Sequence, residues 1–389
     1  MKYKEEVNYL YRSYKYRLYP TIEQENNLKK ILFMCCDLYN ACIEQRRIAW
    51  KNYRVSISRF DQNNEITKLR HSMSEYRNIY SSILQNVTHR VDLSFKKFFN
   101  KNYTVGFPRF KTHSRYHSFT YPNANNTNVK FHENSRISLS KTVYNIKVKI
   151  HTPIEGNIKT ATIHYKASKW YLIITVDNAP PRYIHGNGEI GIDFGLKTSL
   201  TLSNSKQYEN IKIFKKNEDK IKKLQQNISR KKKGSNRWYK CKILLQKLHI
   251  KISASRLLYI HTITKEIVTK NGKIAIENLD ISNMIKTTDL AKQIHDVAWG
   301  KFISILEYKA EEAGALVLKV NPAYTSQECS SCGKIVPKEL SERIHSCSCG
   351  LTLDRDHNAA LNILKRAQLE PSWRNYDSSS MKREVNLID

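Results

Sequence analysis

The sequence predicts a two-lobed, multidomain chain of α/β plus β class. A small β-unit with an inserted helical part comes first, and an α/β lobe interrupted by a cysteine-rich insertion follows. Three observations predict this. Apolar residues keep helical spacing over 21–101, fall into short strands over 106–177, and alternate between strands and helices from Glu189 onward. The 389 residues suffice for a large core divided among two or three domains. Four of the eight cysteines lie near the C-terminus as two close pairs.

Each element has its own signal. YKYRLYP (14–20) reads as a strand ended by Pro20, and Thr21 with Gln24 makes a capping-box pattern. Leu28, Ile31, Leu32, Cys35, Leu38, Tyr39, Cys42 and Ile43 then keep one face of a helix. Leu84, Val87, Val91, Phe95 and Phe98 mark another over 81–99. RISLS (136–140), YNIKVKI (144–150), IKTATIHYK (158–166) and KWYLIITVD (169–177) are short strands between turn residues. The N-terminal strand can complete that β-unit, which makes the helical part an insertion. Residues 178–188 have linker composition. Beyond them, 189–195, 199–203 and 209–214 read as three strands. Two long helical segments follow, broken at Gly234-Ser235-Asn236, the second with Cys241, Leu244, Leu245, Leu248 and Ile252 as its buried stripe. A strand over 272–279, a helix over 299–314 ended by Gly314, a strand over 315–321 and a last helix over 358–367 complete the lobe. The tail from about Gln368 is polar and expected to be disordered.

The net charge is +31 with a pI near 9.7, while 40% of residues are hydrophobic. The chain is therefore globular rather than disordered, and its self-repulsion calls for a polyanionic partner. Nucleic acid fits best, with an anionic membrane surface as the alternative. The longest apolar runs, 31–36 and 170–176, fall far short of the ~20 residues a span needs, and the N-terminus lacks a signal-peptide core. The expectation is a cytoplasmic, nucleoid-associated chain with reduced thiols. Cys35, Cys36, Cys42 and Cys241 read as small buried hydrophobes.

Cys329-x-x-Cys332-Gly333 has the spacing of a zinc knuckle, since two thiolates from one tight turn need two to four residues between them. The second pair, Cys347-x-Cys349-Gly350, is one residue shorter, and His345 is near enough in sequence to substitute for either thiolate. Three acids stand at element ends. Asp193 closes the strand GEIGID, Glu277 closes KIAIE, and Asp356 precedes the final helix in DRDHNAA. An acid at the end of an apolar strand is costly to desolvate unless it pairs or binds metal. Three converging acids can hold two divalent ions for phosphodiester hydrolysis, and magnesium suits such oxygen ligands. Each acid alone has a plain structural reading: a turn residue, a lysine partner or a helix N-cap. Their order, strand Asp, later strand Glu, helix-opening Asp, matches the RNase H-like nuclease arrangement. Asp354 competes with Asp356 for the third role, and spacing does not decide between them.

With these motifs assembled, the chain resembles the TnpB (OrfB-type) transposon-associated nucleases, relatives of the type V CRISPR effectors. YKYRLYPTIEQE, YNACIEQR, GFPRFKTHSRYHSFTYP, GIDFGLK, IAIENLDI, VNPAYTSQECSSCG and CGLTLDRDHNAALNIL carry the resemblance in family order. It implies an RNA-guided DNA endonuclease with a RuvC-type domain, a guide RNA and double-stranded target DNA as partners, one RNA per protein monomer, and no membrane. It implies Asp193, Glu277 and Asp356 as catalytic acids holding Mg (or Mn), with Asp354 ranked behind Asp356. It also implies Cys329, Cys332, Cys347 and Cys349 as ligands of a structural Zn. The implied partition is a wedge-like β-barrel over 1–20 and 102–185, a helical recognition domain over 21–101, and a RuvC-like domain over 186–323 and 351–367. A zinc ribbon occupies 324–350 and a disordered tail 368–389.

Two stretches are candidates for nucleic-acid contact. Residues 106–122 interleave Arg109, Lys111 and Arg115 with rings including Tyr121, where cations can hold phosphates while rings stack on bases; the alternative is a β-strand whose aromatics are core. Residues 215–251 hold fourteen Lys/Arg against two acids, centred on Arg230, Lys231, Lys232, Lys233 and Arg237. These read either as a track along a guide–target heteroduplex or as a solvated helix pair. Rival functions are a guided DNA-binding regulator without cleavage, a strand-transfer transposase or transposition accessory protein, and a plain zinc-ribbon binder. All three acids are present, no HUH or covalent-tyrosine pattern appears, and the zinc-ribbon reading leaves 190–320 unexplained.

Overall fold

The computed structural model describes residues 11–124, 128–287, 291–339 and 342–376, and the chain divides into two compact units after Pro180. In the first unit β1 (Arg12–Tyr19) leads into α1 (Ile22–Tyr53), α2 (Arg59–Ser72), α3 (Ser74–Arg77) and α4 (Ser81–Phe99). Strands then resume as β2 (Ser118–Tyr121), β3 (Val129–His132), β4 (Arg136–Leu139), β5 (Val143–Lys149), β6 (Asn157–Lys166) and β7 (Lys169–Asp177). Among the described residues they form one sheet in the order β2-β6-β7-β1-β5-β4-β3, so β1 lies between β7 and β5 and the helices are an excursion after it. Alternation sets the faces. Tyr14, Tyr16 and Leu18 are buried opposite Ile174, Leu172 and Trp170, and the residues between them point the other way.

α1 opens with the capping box. Gln24 N donates to Thr21 Oγ1 at 3.3 Å and Thr21 N to Gln24 Oε1 at 2.9 Å. Its apolar stripe from Leu28 to Ile43 is buried, and so are Leu84, Val87, Val91 and Phe95 of α4. Phe98 is half-buried, edge-on to Phe107 at 5.4 Å.

In the second unit β8 (Gly188–Phe194), β9 (Thr198–Leu202) and β10 (Gln207–Glu209) form an antiparallel meander. α5 (Ile213–Ser229), α6 (Asn236–Lys270), β11 (Asn271–Glu277), α7 (Ile281–Thr287), α8 (Ala291–Val297), α9 (Trp299–Ala313) and β12 (Leu316–Val320) follow. β13 (Ile344–Ser346), β14 (Thr352–Asp354), α10 (Arg355–Leu369) and α11 (Pro371–Arg374) close the chain. The main sheet has the order β10-β9-β8-β11-β12, with β8, β11 and β12 parallel. Its two faces bury different helices. Ile190, Ile192, Ile274 and Ile276 pack with Ile263 and Ile267 of α6 and Phe302 and Leu306 of α9, whereas Ala275 packs with Ile363 and Ala367 of α10. α10 approaches β8 so closely that a Cβ on Gly191 would stand 2.2 Å from the Ala360 carbonyl oxygen.

Three expectations are corrected. The strand read over 209–214 is shorter and earlier, because α5 begins at Ile213. Asp296, distant in sequence, accepts from Phe214 N at 3.0 Å and Lys215 N at 3.4 Å, so the helix start is capped by a carboxylate that no local pattern signals. The stripe read in α6 is only partly inside: Ile252 is buried, Leu244 is 52% exposed, and Cys241, Leu245 and Leu248 are half-buried. That part of α6 packs against α5, and a seam between two helices leaves its rims in water. Residues 368–376 are ordered rather than the start of a disordered tail, because Trp373 buries its indole against Ala275, Val320, Ile363 and Ala367. Residues 377–389 of that tail lie outside the described residues.

Candidate active site and cysteine cluster

β8 and β11 run in parallel with Ile192 opposite Ile276, so Asp193 and Glu277 leave the sheet at the same level. Pleating turns both toward the face that carries α10. Asp356 comes from the first turn of α10, its Oδ2 3.8 Å from where a Cβ on Gly195 would sit, just past β8. The three carboxylates share one electrostatic field. Burial pushes the Asp193 carboxyl well above its usual range, Glu277 and Asp356 push it further, and Arg355 opposes them. Glu277, 8% exposed, is also raised by burial, against the pull of Thr325, whose hydroxyl donates to Oε1 at 2.6 Å, and of Arg366. Arg355 and Arg343 approach Asp356 at 3.4 and 3.8 Å.

Asp354 and Asp356 occupy different positions. Asp354 Oδ1 accepts from the backbone N–H of Asp356 (3.0 Å) and His357 (3.1 Å), so it is the N-cap of α10. Asp356, inside the helix, is the acid whose charge acts on Asp193.

Among the described residues, Cys329, Cys332, Cys347 and Cys349 form the one cluster of potential metal ligands whose donor atoms all lie within 4.8 Å of one another; the carboxylates share a field but not so tight a cage. The Sγ atoms of Cys329 and Cys349 are 3.7 Å apart, and those of Cys332 and Cys347 are 3.5 Å apart. The short second pair works because its turn is tighter. Gly333 N returns to Cys329 O over four residues (2.9 Å), whereas Gly350 N returns to Cys347 O over three (3.0 Å). Both glycines have positive φ, +76° and +92°, which a side chain would strain. His345 is outside the cluster: it is fully buried, with Nδ1 against Lys338 Nζ.

α10 ties this cluster to the sheet. Asn358 donates to Glu328 O (2.7 Å) and accepts from Ser330 N (2.9 Å), while Asn362 donates to Thr325 O (2.9 Å) and Glu328 O (2.6 Å). Both asparagines are buried. Thr325, Arg343, Arg355, Asn358 and Asn362 were not among the sequence candidates. All but Arg343 lie inside quoted motifs, and polar residues spaced i, i+4 on an otherwise apolar helix face were the available signal.

Three family profiles match the chain. "Helix-turn-helix domain" of the OrfB_IS605 group spans 10–54, "Probable transposase" of the same group spans 173–288, and "Cas12f1-like, TNB domain" spans 299–363. The chain is 29% identical to InsQ of Escherichia coli K12 over 91% of each chain, a protein whose name describes an RNA-guided DNA endonuclease. It is 30% identical to TnpB-like protein L770 of Acanthamoeba polyphaga mimivirus over 56% of this chain and 45% of that one. The chain is similar to the TnpB family of IS605-type OrfB proteins. Its fold is like that of Cas12f1 in a Cas12f1–sgRNA–target DNA complex, with a TM-score of 0.54 at 16% identity, covering 92% of this chain and 99% of that one. The described part of 10–54 is not a helix-turn-helix but strand β1 and one uninterrupted helix, α1.

The basic candidates divide by exposure. Arg109 and Arg115 are exposed, as are the rings of Phe107 (44%) and Phe110 (51%). Tyr121 is corrected to a core residue, and Lys111 is half-buried. Lys111 Nζ lies 4.3 Å from the Tyr39 ring centre, and its backbone exchanges hydrogen bonds with Asn40 at 2.8 and 2.9 Å. Tyr121 is fully buried and donates to Ser140 O at 3.2 Å, because its β2 position faces the core. Between α5 and α6, Arg230, Lys232 and Lys233 are exposed and Lys231 is half-buried, and Arg237 in the first turn of α6 is exposed. Trp238 follows, with Lys242 Nζ 4.8 Å from its ring.

Proposed function

We propose that this chain is an RNA-guided DNA endonuclease that cleaves double-stranded DNA by metal-dependent phosphodiester hydrolysis. The observation that carries the reading is the approach of Asp193, Glu277 and Asp356 from the ends of two adjacent parallel strands and the first turn of the helix packed on them. A three-stranded antiparallel meander continued by parallel strands, in the order β10-β9-β8-β11-β12, supports an RNase H-like, RuvC-type domain. The names of relatives and the Cas12f1-like fold support a guide RNA and target DNA as partners. In this reading the first unit's sheet is the wedge and α1 to α4 the recognition helices. The guide derives from the transposon end, and the cut falls beside a short flanking motif. One protein acts with one RNA, in the cytoplasm. Among the described residues no helix is long and apolar enough to cross a membrane.

The donor sets fit the implied metals. Thiolates on ~2.3 Å arms of a tetrahedron stand roughly 3.8 Å apart, close to the sulfur separations here, so the four cysteines suit a structural zinc. Carboxylates whose mutual repulsion raises their proton affinity suit hard divalent cations, and bound magnesium or manganese supplies an activated water and a stabilised leaving oxygen. Asp193, Glu277 and Asp356 would hold those ions. The Thr325 hydroxyl fixes the Glu277 carboxylate. Arg343 and Arg355 bring positive charge to the side where a phosphodiester arrives. Asp193→Ala, purified with its co-expressed RNA, should lose cleavage of a target plasmid to background while retaining the RNA. Cleavage surviving in that variant would sink the assignment.

A further inference from the structure

α10 crosses β8 where the strand has no side chain. A Cβ on Gly191 would stand 2.9 Å from Leu364 as well as against the Ala360 carbonyl. Such a contact sets the spacing between helix and sheet, but a glycine offers no ridge to hold the helix's rotation. Rotation matters at Asp356. A side-chain atom about 5–6 Å from a helix axis moves about 2 Å for a turn of about 20°, and a metal site fails on that scale.

His357, next to Asp356 in the same turn, supplies the hold. Its Nε2 lies 3.1 Å from Ser203 O and 3.2 Å from Ser205 Oγ, in the turn between β9 and β10. A carbonyl only accepts, so Nε2 carries the hydrogen and donates toward both oxygens. Ser203 is locked to β8 in turn: its N donates to Gly191 O at 2.9 Å and its Oγ accepts from Gly191 N at 3.1 Å. The bonds thus run from the first turn of α10 to β8, two residues before Asp193. Ser205 meets the imidazole from a backbone at φ +67°, which a serine adopts at a cost. Asn358 and Asn362 fix α10 to the cysteine loop, whereas His357 fixes it to the hairpin that carries Asp193. At the far end of α10, Gln368 donates to Glu189 Oε2 at 2.9 Å, but both side chains are exposed and hold the helix loosely.

We infer that His357 is a positioning residue: it sets the rotation of the first turn of α10 on the β8–β9 hairpin and so aims Asp356 at the ions that Asp193 and Glu277 share. This role rests on the reading of the three acids as a metal site, and it names the side chain that keeps one of them in register. It acts through a single ring N–H, so a side chain that returns an N–H at the same reach replaces it.

The test uses the full chain and measures manganese binding directly, by loss of the free ion's electron paramagnetic resonance signal, beside plasmid cleavage titrated with manganese. His357→Ala should weaken binding about tenfold. It should raise the manganese needed for half-maximal cleavage by the same factor while largely keeping the rate at saturation. His357→Gln, whose amide N–H can reach the same oxygens, should recover most of the affinity. Ser205→Ala, in an exposed turn, should shift binding the same way and by less, which keeps the role testable even where His357→Ala fails to fold. Gln368→Ala loosens the far end of the helix and should leave manganese affinity unchanged. Wild-type affinity in both His357→Ala and Ser205→Ala overturns the inference. So does an equal loss in Gln368→Ala, or no recovery in His357→Gln, since either reduces His357 to a structural tie. Wild-type manganese binding that Asp193→Ala leaves intact sinks the metal-site reading instead.

Discussion

At Asp193 the fold works against the charged form of its own side chain. Burial, Glu277 and Asp356 raise this carboxyl from its ordinary 3.8, so the native state holds the proton more tightly than the unfolded chain. The sign follows by linkage: stability is lost as pH rises from 3.8 through the raised native value. At neutral pH, and with metal chelated, Asp193→Asn should therefore raise the melting temperature of the second unit by about 2–4 °C, a 1 kcal/mol effect for a unit of that size. Manganese should stabilise the wild type and not the variant, and thermal melts with and without the ion check both halves. Cleavage should fall as pH drops through the raised carboxyl values, because protonated acids release the ions. Other residues divide less legibly. Arg109 and Lys111 sit two apart in one basic run, yet one is exposed and the other is held over Tyr39.

The start of α10 shows what an element adds. Two aspartates two residues apart are equivalent to any spacing rule, but helix geometry separates them: Asp354 satisfies orphan N–H groups and Asp356 turns toward the strand ends. Asp354→Ala should cost about 1 kcal/mol of stability and leave substantial cleavage. Asp356→Ala should abolish cleavage with little loss of stability. Parallel melts and plasmid assays separate the two, and the reverse pattern would exchange the roles. The shortened cysteine pair is resolved at this scale too, since a turn one residue tighter, closed by Gly350 at positive φ, still brings Cys349 within 3.7 Å of Cys329.

Across the whole molecule, two units with separate cores divide the stability. Calorimetry should resolve two transitions. Cys332→Ser should release zinc and lower only the transition of residues 181–389, because the cluster is tied through Asn358 and Asn362 to the helix that closes that unit. Unchanged zinc by mass spectrometry, or a shift in both transitions, would overturn this. The +31 charge also belongs to this scale, since exposed Lys and Arg occur in both units among the described residues.

The sequence by itself determined the helices with strong periodicity, the Thr21 cap, the two cysteine turns and the three acids in their order. These depend on spacing along the chain, which local geometry converts directly into faces and turns. Only the tertiary structure decided where α5 begins, because its cap is Asp296 from more than eighty residues away. It also decided that Trp373 belongs to a core, that Tyr121 is inside while Phe110 is outside, and that Asp354 caps while Asp356 faces Asp193. Those outcomes depend on which element lies opposite, and a side chain's burial and proton affinity are set by neighbours that the linear sequence does not place beside it.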